Sequence, residues 1–321
     1  MQITTNIQTT STFPVFAHQM VLDHVADQLK AGRVSSALDN LFDDLAGRRQ
    51  EDAEGWPDFA RFCSGHPLRH LLHADPFTYR AFAKPRGYAG DAVMMDYIYG
   101  LGERDEVARA ATPLGRAIFQ YMDTRPSARA VRHRRTLIAG LLDRTGQRDD
   151  ARVLAIAAGH LREVELSSAV RNRKLAEFVA FDQDEASLSV VSRDYGHLGV
   201  TAQPGSVRHI LSGKAKLGQY DFVYAAGLYD YLAAPVARAL TCRMFEMTRP
   251  GGTLLIPNFL TGLPDTGYME AFMDWSLIYR NHAEMYDLAA ALPAHEVANV
   301  QVFNDPDDAI AFLLVTKSAL Q

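Results

Sequence analysis

ARVLAIAAGHLRE, Ala151–Glu163, is the stretch on which the reading of this chain turns. Its first half is aliphatic, as a strand buried on both faces requires. It then stops at Ala157, Ala158 and Gly159 and opens into a helix-like pattern. Small residues let a backbone approach a ligand closely, and amides at a helix N-terminus offer donors to an anionic group. About 20 residues on, a second apolar run, FVAF, ends in Asp182 and Gln183, the spacing at which an acid meets ribose hydroxyls in dinucleotide-type folds. Ala157, Gly159, Asp182 and Gln183 are therefore expected to hold a nucleoside-containing cofactor. The alternative is an ordinary strand-to-helix turn, because Ala157, Gly159 and Leu161 stand where a glycine-rich loop would repeat its glycines.

Downstream, EASLSVVSRDY reads as a helix, VRHIL as a short strand, YDFVYAAG as a strand ending in small residues and AAPVARALTCRMFEMT as a helix. A turn at Arg249–Gly252 leads into the strand TLLIPNF. This alternation predicts a parallel sheet covered on both faces. At the end of the chain ANVQVFN and AIAFLLVTK flank NDPDD with no room for a helix, which predicts an antiparallel hairpin. The expected fold is α/β: a Rossmann-like, seven-stranded, mostly parallel sheet with a terminal antiparallel hairpin.

Upstream, residues 1–16 form a polar, Thr-rich arm. From His18 to Arg49 apolar residues recur at helical intervals and predict two helices broken near Gly32, with further helices over 57–73, 91–100, 104–122 and 126–145. TGQRDD, Thr145–Asp150, is polar and carries a helix-stopping glycine. Two domains are expected, residues 1–148 helical and 149–321 α/β. Dimerisation through the N-terminal helices is an expectation drawn from the length of that region.

A net charge of −5 in 321 residues gives no overall drive toward nucleic acid, and RHRR at Arg132–Arg135 is short and lies in helical sequence. The two cysteines, Cys63 and Cys242, are far apart in apolar settings, which argues against a disulfide framework or a metal site and for a reducing cytoplasm. No basic segment with an apolar core opens the chain, and no stretch is long enough to span a bilayer, so a soluble, cytoplasmic chain is expected. HExxH, paired CxxC, G-x-x-x-x-G-K and G-x-S-x-G are all missing from the sequence, leaving metal, nucleotide and serine hydrolysis without support.

The sheet pattern, the acid ending the second strand and the Pro-Gly-Gly before the fifth resemble the class I S-adenosylmethionine-dependent methyltransferases, over roughly Ala151 to Lys317. ARVLAIAAGHLREV is similar to a variant first motif of that superfamily in which Ala158 stands for a cysteine and His160 for a proline. FDQD at Phe181–Asp184, AAGLYDYL at Ala225–Leu232, RPGGTLLIPNF at Arg249–Phe259, MDWSLIYR at Met273–Arg280 and KPRGYAGDAVMMDYIY at Lys84–Tyr99 add to the likeness. They resemble a subgroup that includes bacterial enzymes esterifying hydroxy fatty acid signals and other small-molecule methyltransferases. The resemblance implies S-adenosylmethionine as cofactor, a small-molecule acceptor in secondary or signal metabolism, and a helical lid over both.

For the cofactor, Asp182 is the first candidate, with Asp184 as the competing acid; Glu163 would cap backbone donors or meet the cofactor's ammonium group. Gly227, following the fourth strand, belongs to the same edge of the sheet. Arg86, Tyr88 and Asp91 are candidate ligand contacts, Asp91 alternatively a helix N-cap. Catalytic candidates are Tyr229, Asp230 and His160, with packing beneath the lid as the other role for Tyr229 and Tyr231. Tyr231, Trp275, Tyr279 and Arg280 are substrate candidates: Trp275 and Tyr279 would share a helix face, with Arg280 beside them to grip a carboxylate. A carboxylate or free amine acceptor needs no base, whereas a phenol or carbon acceptor does. Rival readings are a non-catalytic protein of the same fold, a dehydrogenase, and an S-adenosylmethionine-binding enzyme of different chemistry.

Overall fold

The computed structural model describes residues 13–319. Of the expected polar arm, residues 1–12 lie outside the described residues and 13–16 open the first helix. Helices α1 (Phe13–Lys30), α2 (Val34–Glu51), α3 (Trp56–Gly65), α4 (Leu68–Leu72), α5 (Pro76–Ala83), α6 (Ala92–Tyr99), α7 (Arg104–Ala110), α8 (Pro113–Asp123) and α9 (Pro126–Thr145) come first. The predicted helix over 57–73 is two, split at His66–Pro67, and the one over 104–122 is two, split before Pro113, because proline cannot continue a helix. Helix α5 was not expected from periodicity. Asp75 caps it, accepting from the Phe77 and Thr78 amides at 3.0 and 2.9 Å, with Pro76 at its first position.

The sheet follows: β1 (Arg152–Ile156), β2 (Glu177–Asp182), β3 (Val200–Pro204), β4 (Tyr220–Tyr224), β5 (Thr248–Phe259), β6 (Val297–Asn304) and β7 (Ile310–Lys317). Its order is β3-β2-β1-β4-β5-β7-β6. The first five strands pair in parallel, while β7 runs antiparallel to both β5 and β6, as the terminal hairpin predicts. Between them lie α10 (Ser168–Arg171), α11 (Glu185–Tyr195), α12 (Val207–Leu211), α13 (Ala234–Glu246), α14 (Thr266–Phe272) and α15 (His282–Asp287).

Four local expectations are corrected. VRHIL is α12, not a strand; only its Ile210 is buried, and the third strand is the preceding VTAQP. The helix expected straight after β1 is a 3-10 turn, Arg162–Glu165, followed by the single turn α10. Arg249–Gly252 is not a turn outside the sheet but the bulged start of β5. A Cβ at Gly252 would come within 2.9 Å of the carbonyls of Arg249 and Asp221, so only glycine fits the bulge. WSLIYR is extended rather than helical, with Arg280 bridging Leu260.

Strand alternation sorts the core into two halves. Val153, Ala155, Phe178, Ala180, Phe222, Tyr224 and Leu255 face a core shared with α1–α9. Leu154, Ile156, Val179, Phe181, Val223, Leu254 and Ile256 face the opposite core with Leu240, Met244 and Phe245 of α13. The N-terminal helices thus replace the helical layer that α10 is too short to supply on that face. The insertion carrying α14 packs back on α2 and α3, and Arg125 anchors it through buried Asp265 at 2.7 Å while lying over the Phe42 ring. Among the described residues no helix is long and apolar enough to cross a membrane.

Candidate functional site

In an open parallel sheet, strands that cross over in opposite directions leave a crevice at their carboxyl ends. Here β1 leads to β2 on one side while β4 lies on its other side, and the crevice between them opens a cavity of about 780 Å³. Its floor is the strand ends and their loops; its roof is the 86–90 segment, α6 and α9.

The loop after β1 is unusual in its backbone. Ala157, Gly159 and Leu161 all adopt left-handed conformations, with φ of 51°, 55° and 54°. These are the positions at which a glycine-rich loop would place glycines, so the backbone shape is kept although two of the glycines are gone. Asp182 holds this loop: its Oδ2 accepts from the Gly159 amide and its Oδ1 from the Asp184 amide, each at 2.8 Å. Each oxygen retains a lone pair. Burial raises the Asp182 carboxyl above the usual range, while the amides oppose the rise.

The same loop is clasped from above. His160 Nδ1 is 2.8 Å from Asp96 Oδ2, and its Nε2 is 3.3 Å from Arg86 Nη1. A guanidinium only donates, so Nε2 accepts and Nδ1 carries the proton toward Asp96. Arg86 also donates to Asp184 and to Ser187, both at 3.0 Å, and Arg162 grips Asp96 with bonds of 2.8 and 2.9 Å. Burial alone would raise the Asp96 carboxyl, but the hydrogen bonds from Arg162 and His160 hold it below its ordinary value. His160 has no nitrogen left for catalysis.

On the neighbouring strand, the loop after β4 is built differently. Arg280 is buried and donates to the carbonyl of Tyr229 at 2.8 Å, and to the carbonyl of Leu232 and Oδ1 of Asn258. It is a core brace that stands off the cavity, with both terminal nitrogens engaged within the protein. Tyr229 turns its hydroxyl into the core toward Thr241 at 3.0 Å, away from the cavity. Tyr279 also lies off the cavity, under the Arg49 guanidinium. Asp91 caps α6 at Met94 and pairs with Arg80, so its role is structural. These four residues are corrected as site candidates: the polar groups of Arg280, Tyr229 and Asp91 are spent within the protein, and Tyr279 stands off the cavity.

The cavity does gather Ala157, Gly159, His160, Glu163, Asp182, Gln183, Gly227, Arg86, Tyr88, Asp230, Tyr231 and Trp275. Glu163 is buried and accepts from the Tyr224 hydroxyl at 2.6 Å; burial raises its carboxyl above the usual range. One contributor escaped the sequence reading. Arg134 is 4% exposed, lines the cavity, stands about 3.7 Å from where a Gly227 Cβ would lie, and has no partner for its buried Nε among the described residues. Its Nη2 reaches the Met95 sulfur at 3.7 Å. The signal was its spacing: Val131, Arg134, Arg135 and Ile138 fall on one buried helical face. Among the described residues no group of three or more His, Cys, Asp or Glu is placed to hold a metal ion.

No family model matches the chain, and no curated protein matches it by sequence. Solved structures do. A possible exported protein from Bordetella parapertussis shares 16% identity at a TM-score of 0.60, over 84% of this chain and 97% of that one. The CurJ carbon methyltransferase shares 13% at a TM-score of 0.50, over 88% of this chain and 71% of its own. At these identities the likeness carries the fold alone: a methyltransferase-like α/β fold preceded by helices.

Proposed function

We propose that the chain transfers a methyl group from S-adenosylmethionine to a small-molecule acceptor. The observation that carries this reading is one cavity with two chemically different ends. At the end of β2, Asp182 presents two carboxylate oxygens with lone pairs to spare, suited to a ribose diol. Across β1, about 10 Å away by strand spacing, buried Arg134 with its unpartnered Nε stands near Gly227, with Glu163 also on the cavity wall. A cation and an acid at that end suit the carboxylate and ammonium of an amino acid. In this reading Gln183 stands beside Asp182 at the adenosine end, and the Gly159 loop lies between the two ends.

The bound cofactor supplies an electrophilic methyl on a sulfonium; the protein supplies alignment and exclusion of water. Tyr231 and Trp275 line the acceptor side. In the same reading the setting is the cytoplasm and small-molecule, secondary or signal metabolism, and the helical roof is a lid. Assembly as a homodimer is part of the proposal, and a monomer by light scattering at high concentration would remove it.

The test is calorimetric titration with S-adenosylhomocysteine of the unaltered protein and of a folded Asp182→Ala variant. Micromolar binding, weakened at least tenfold in the variant, is expected, the ~1.4 kcal/mol scale of a lost charged hydrogen bond. Absence of binding by the unaltered protein would leave a non-catalytic member of this fold.

A further inference from the structure

Of three acid–base candidates, the geometry spares one. Tyr229 faces the core and His160 is spent on Asp96 and Arg86. Asp230 is different. Its side chain is buried yet lines the cavity, and its Oδ1 accepts a hydrogen bond from the Phe259 amide at 2.7 Å. No cation forms an ion pair with it among the described residues, since Arg280 is committed to carbonyl and amide oxygens. The charged or titratable groups facing it are Arg134 from α9, Arg280 from the extended segment after α14, Tyr231 on its own turn and Tyr279 from that extended segment.

Around this carboxylate the cavity wall is aromatic and apolar: Tyr88, Tyr231, Trp275, Phe259 and Leu277. Trp275 Nε1 donates to the Tyr231 hydroxyl at 2.9 Å, which locks both rings. Gly90 of the roof presses on the pair so closely that a Cβ there would lie 2.6 Å from each. A buried carboxylate without its own cation is costly, and an ammonium group offsets that cost through a charged hydrogen bond and the faces of nearby rings. A second carboxylate brought to the same place meets like-charge repulsion.

We infer that the acceptor is an amine that enters as its ammonium form, and that Asp230 holds it and takes its proton. This rests on the methyl-transfer reading above. The N–H proton passes to the Asp230 carboxylate and later to solvent. The freed nitrogen lone pair forms the N–C bond while the C–S bond breaks and its electron pair returns to sulfur. The products are the methylated amine, which carries the positive charge, and S-adenosylhomocysteine. Burial pushes the Asp230 carboxyl up to about 6, into a range suited to accepting and releasing a proton near neutrality.

The experiment uses two aromatic probes of similar size and opposite charge, 2-phenylethylamine and 3-phenylpropionate. Each is titrated by calorimetry into the full-length protein saturated with S-adenosylhomocysteine. The amine is expected to bind at least tenfold more tightly than the carboxylate. Asp230→Asn, which keeps an acceptor for the Phe259 amide, should weaken the amine at least tenfold and change S-adenosylhomocysteine affinity less than threefold. Should that variant not fold, the unaltered protein carries the test, because amine binding must fall as pH drops below about 6 and Asp230 protonates. Equal or tighter binding of the carboxylate overturns the inference. So does amine binding indifferent to the variant and to pH, or no binding of either probe by protein that holds S-adenosylhomocysteine. Failure to bind S-adenosylhomocysteine itself is a different result, which fails the methyl-transfer reading and this inference with it.

Discussion

The loops after β1 and β4 sit side by side at the same edge of the sheet, yet they are held by opposite means. The β1 loop is strained in its backbone and clasped from outside by two ion pairs, Asp96 with Arg162 and Arg86 with Asp184, and by the His160–Asp96 hydrogen bond. The β4 loop is fixed from within by one buried guanidinium that satisfies the acceptors of Tyr229, Leu232 and Asn258. The first therefore depends on docking of the helical roof and on pH and salt. The second is braced inside the core and presents the Asp230 carboxylate to the cavity in a fixed place.

Removing the inner brace tests this difference most severely. Arg280→Met keeps much of the apolar stem but leaves buried oxygens without donors, each costing about 1–3 kcal/mol. A loss of about 3–5 kcal/mol is expected by urea unfolding. A loss below 1 kcal/mol would mean that water replaces the guanidinium and that the loop is not braced from within.

Asp230 should show the reverse sign. Its carboxyl is raised by burial from 3.8 to about 6, so the folded state binds more protons than the unfolded one and stability falls as pH rises through that window. Asp230→Asn is expected to be more stable than the unaltered protein at pH 7.5, by about 1–3 kcal/mol. The gain should vanish by about pH 3, below both values, where the carboxyl is protonated in the folded and the unfolded state. Equal stability at every pH would show that the carboxylate is well solvated in the cavity.

The outer clasp yields to pH in the other direction. The lowered Asp96 carboxyl contributes stability above the ordinary aspartate range, and that contribution is lost as pH falls through its folded value. Asp96→Asn is expected to cost about 1–2 kcal/mol at neutral pH, and the two proteins should converge in acid. Because Arg162 keeps Glu165, Asp194 and Tyr195, a larger loss would point to detachment of α6 from the loop, visible as faster amide exchange at Gly159 and His160.

Where sequence alone succeeded and failed follows the same division. The strands were legible because aliphatic runs ending in small residues have few other uses, and the hairpin because NDPDD leaves no room for a helix. The place of Asp182 at the end of β2 was legible because an apolar run stops there at an acid. VRHIL was misread because five apolar-rich residues fit either period, and its brevity hid the cap at Ser206. Arg280, Tyr229, Tyr279 and Asp91 were misassigned because a polar residue near a motif looks the same whether it faces a ligand or is turned into the protein. Only long-range partners separate the two cases, such as Arg280 with Asn258 or Asp91 with Arg80. Arg134 escaped for the converse reason: within RHRR its charge reads as a solvated face, although its helical phase is that of Val131 and Ile138.

The smallest effect concerns the strain itself. A non-glycine residue in the left-handed region costs roughly 1–2 kcal/mol, and glycine returns about 0.4–1 kcal/mol of that to the unfolded chain. Ala157→Gly should therefore stabilise the protein by about 0.5 kcal/mol and leave S-adenosylhomocysteine affinity unchanged, since Asp182 fixes Gly159 in either case. Leu161 offers no such clean comparison, because its side chain is buried in the core shared with the helices. If Ala157→Gly instead weakens binding several-fold, the alanine methyl is part of the ligand surface. The departure from a glycine-rich loop would then serve binding directly, and the strained backbone would be its cost.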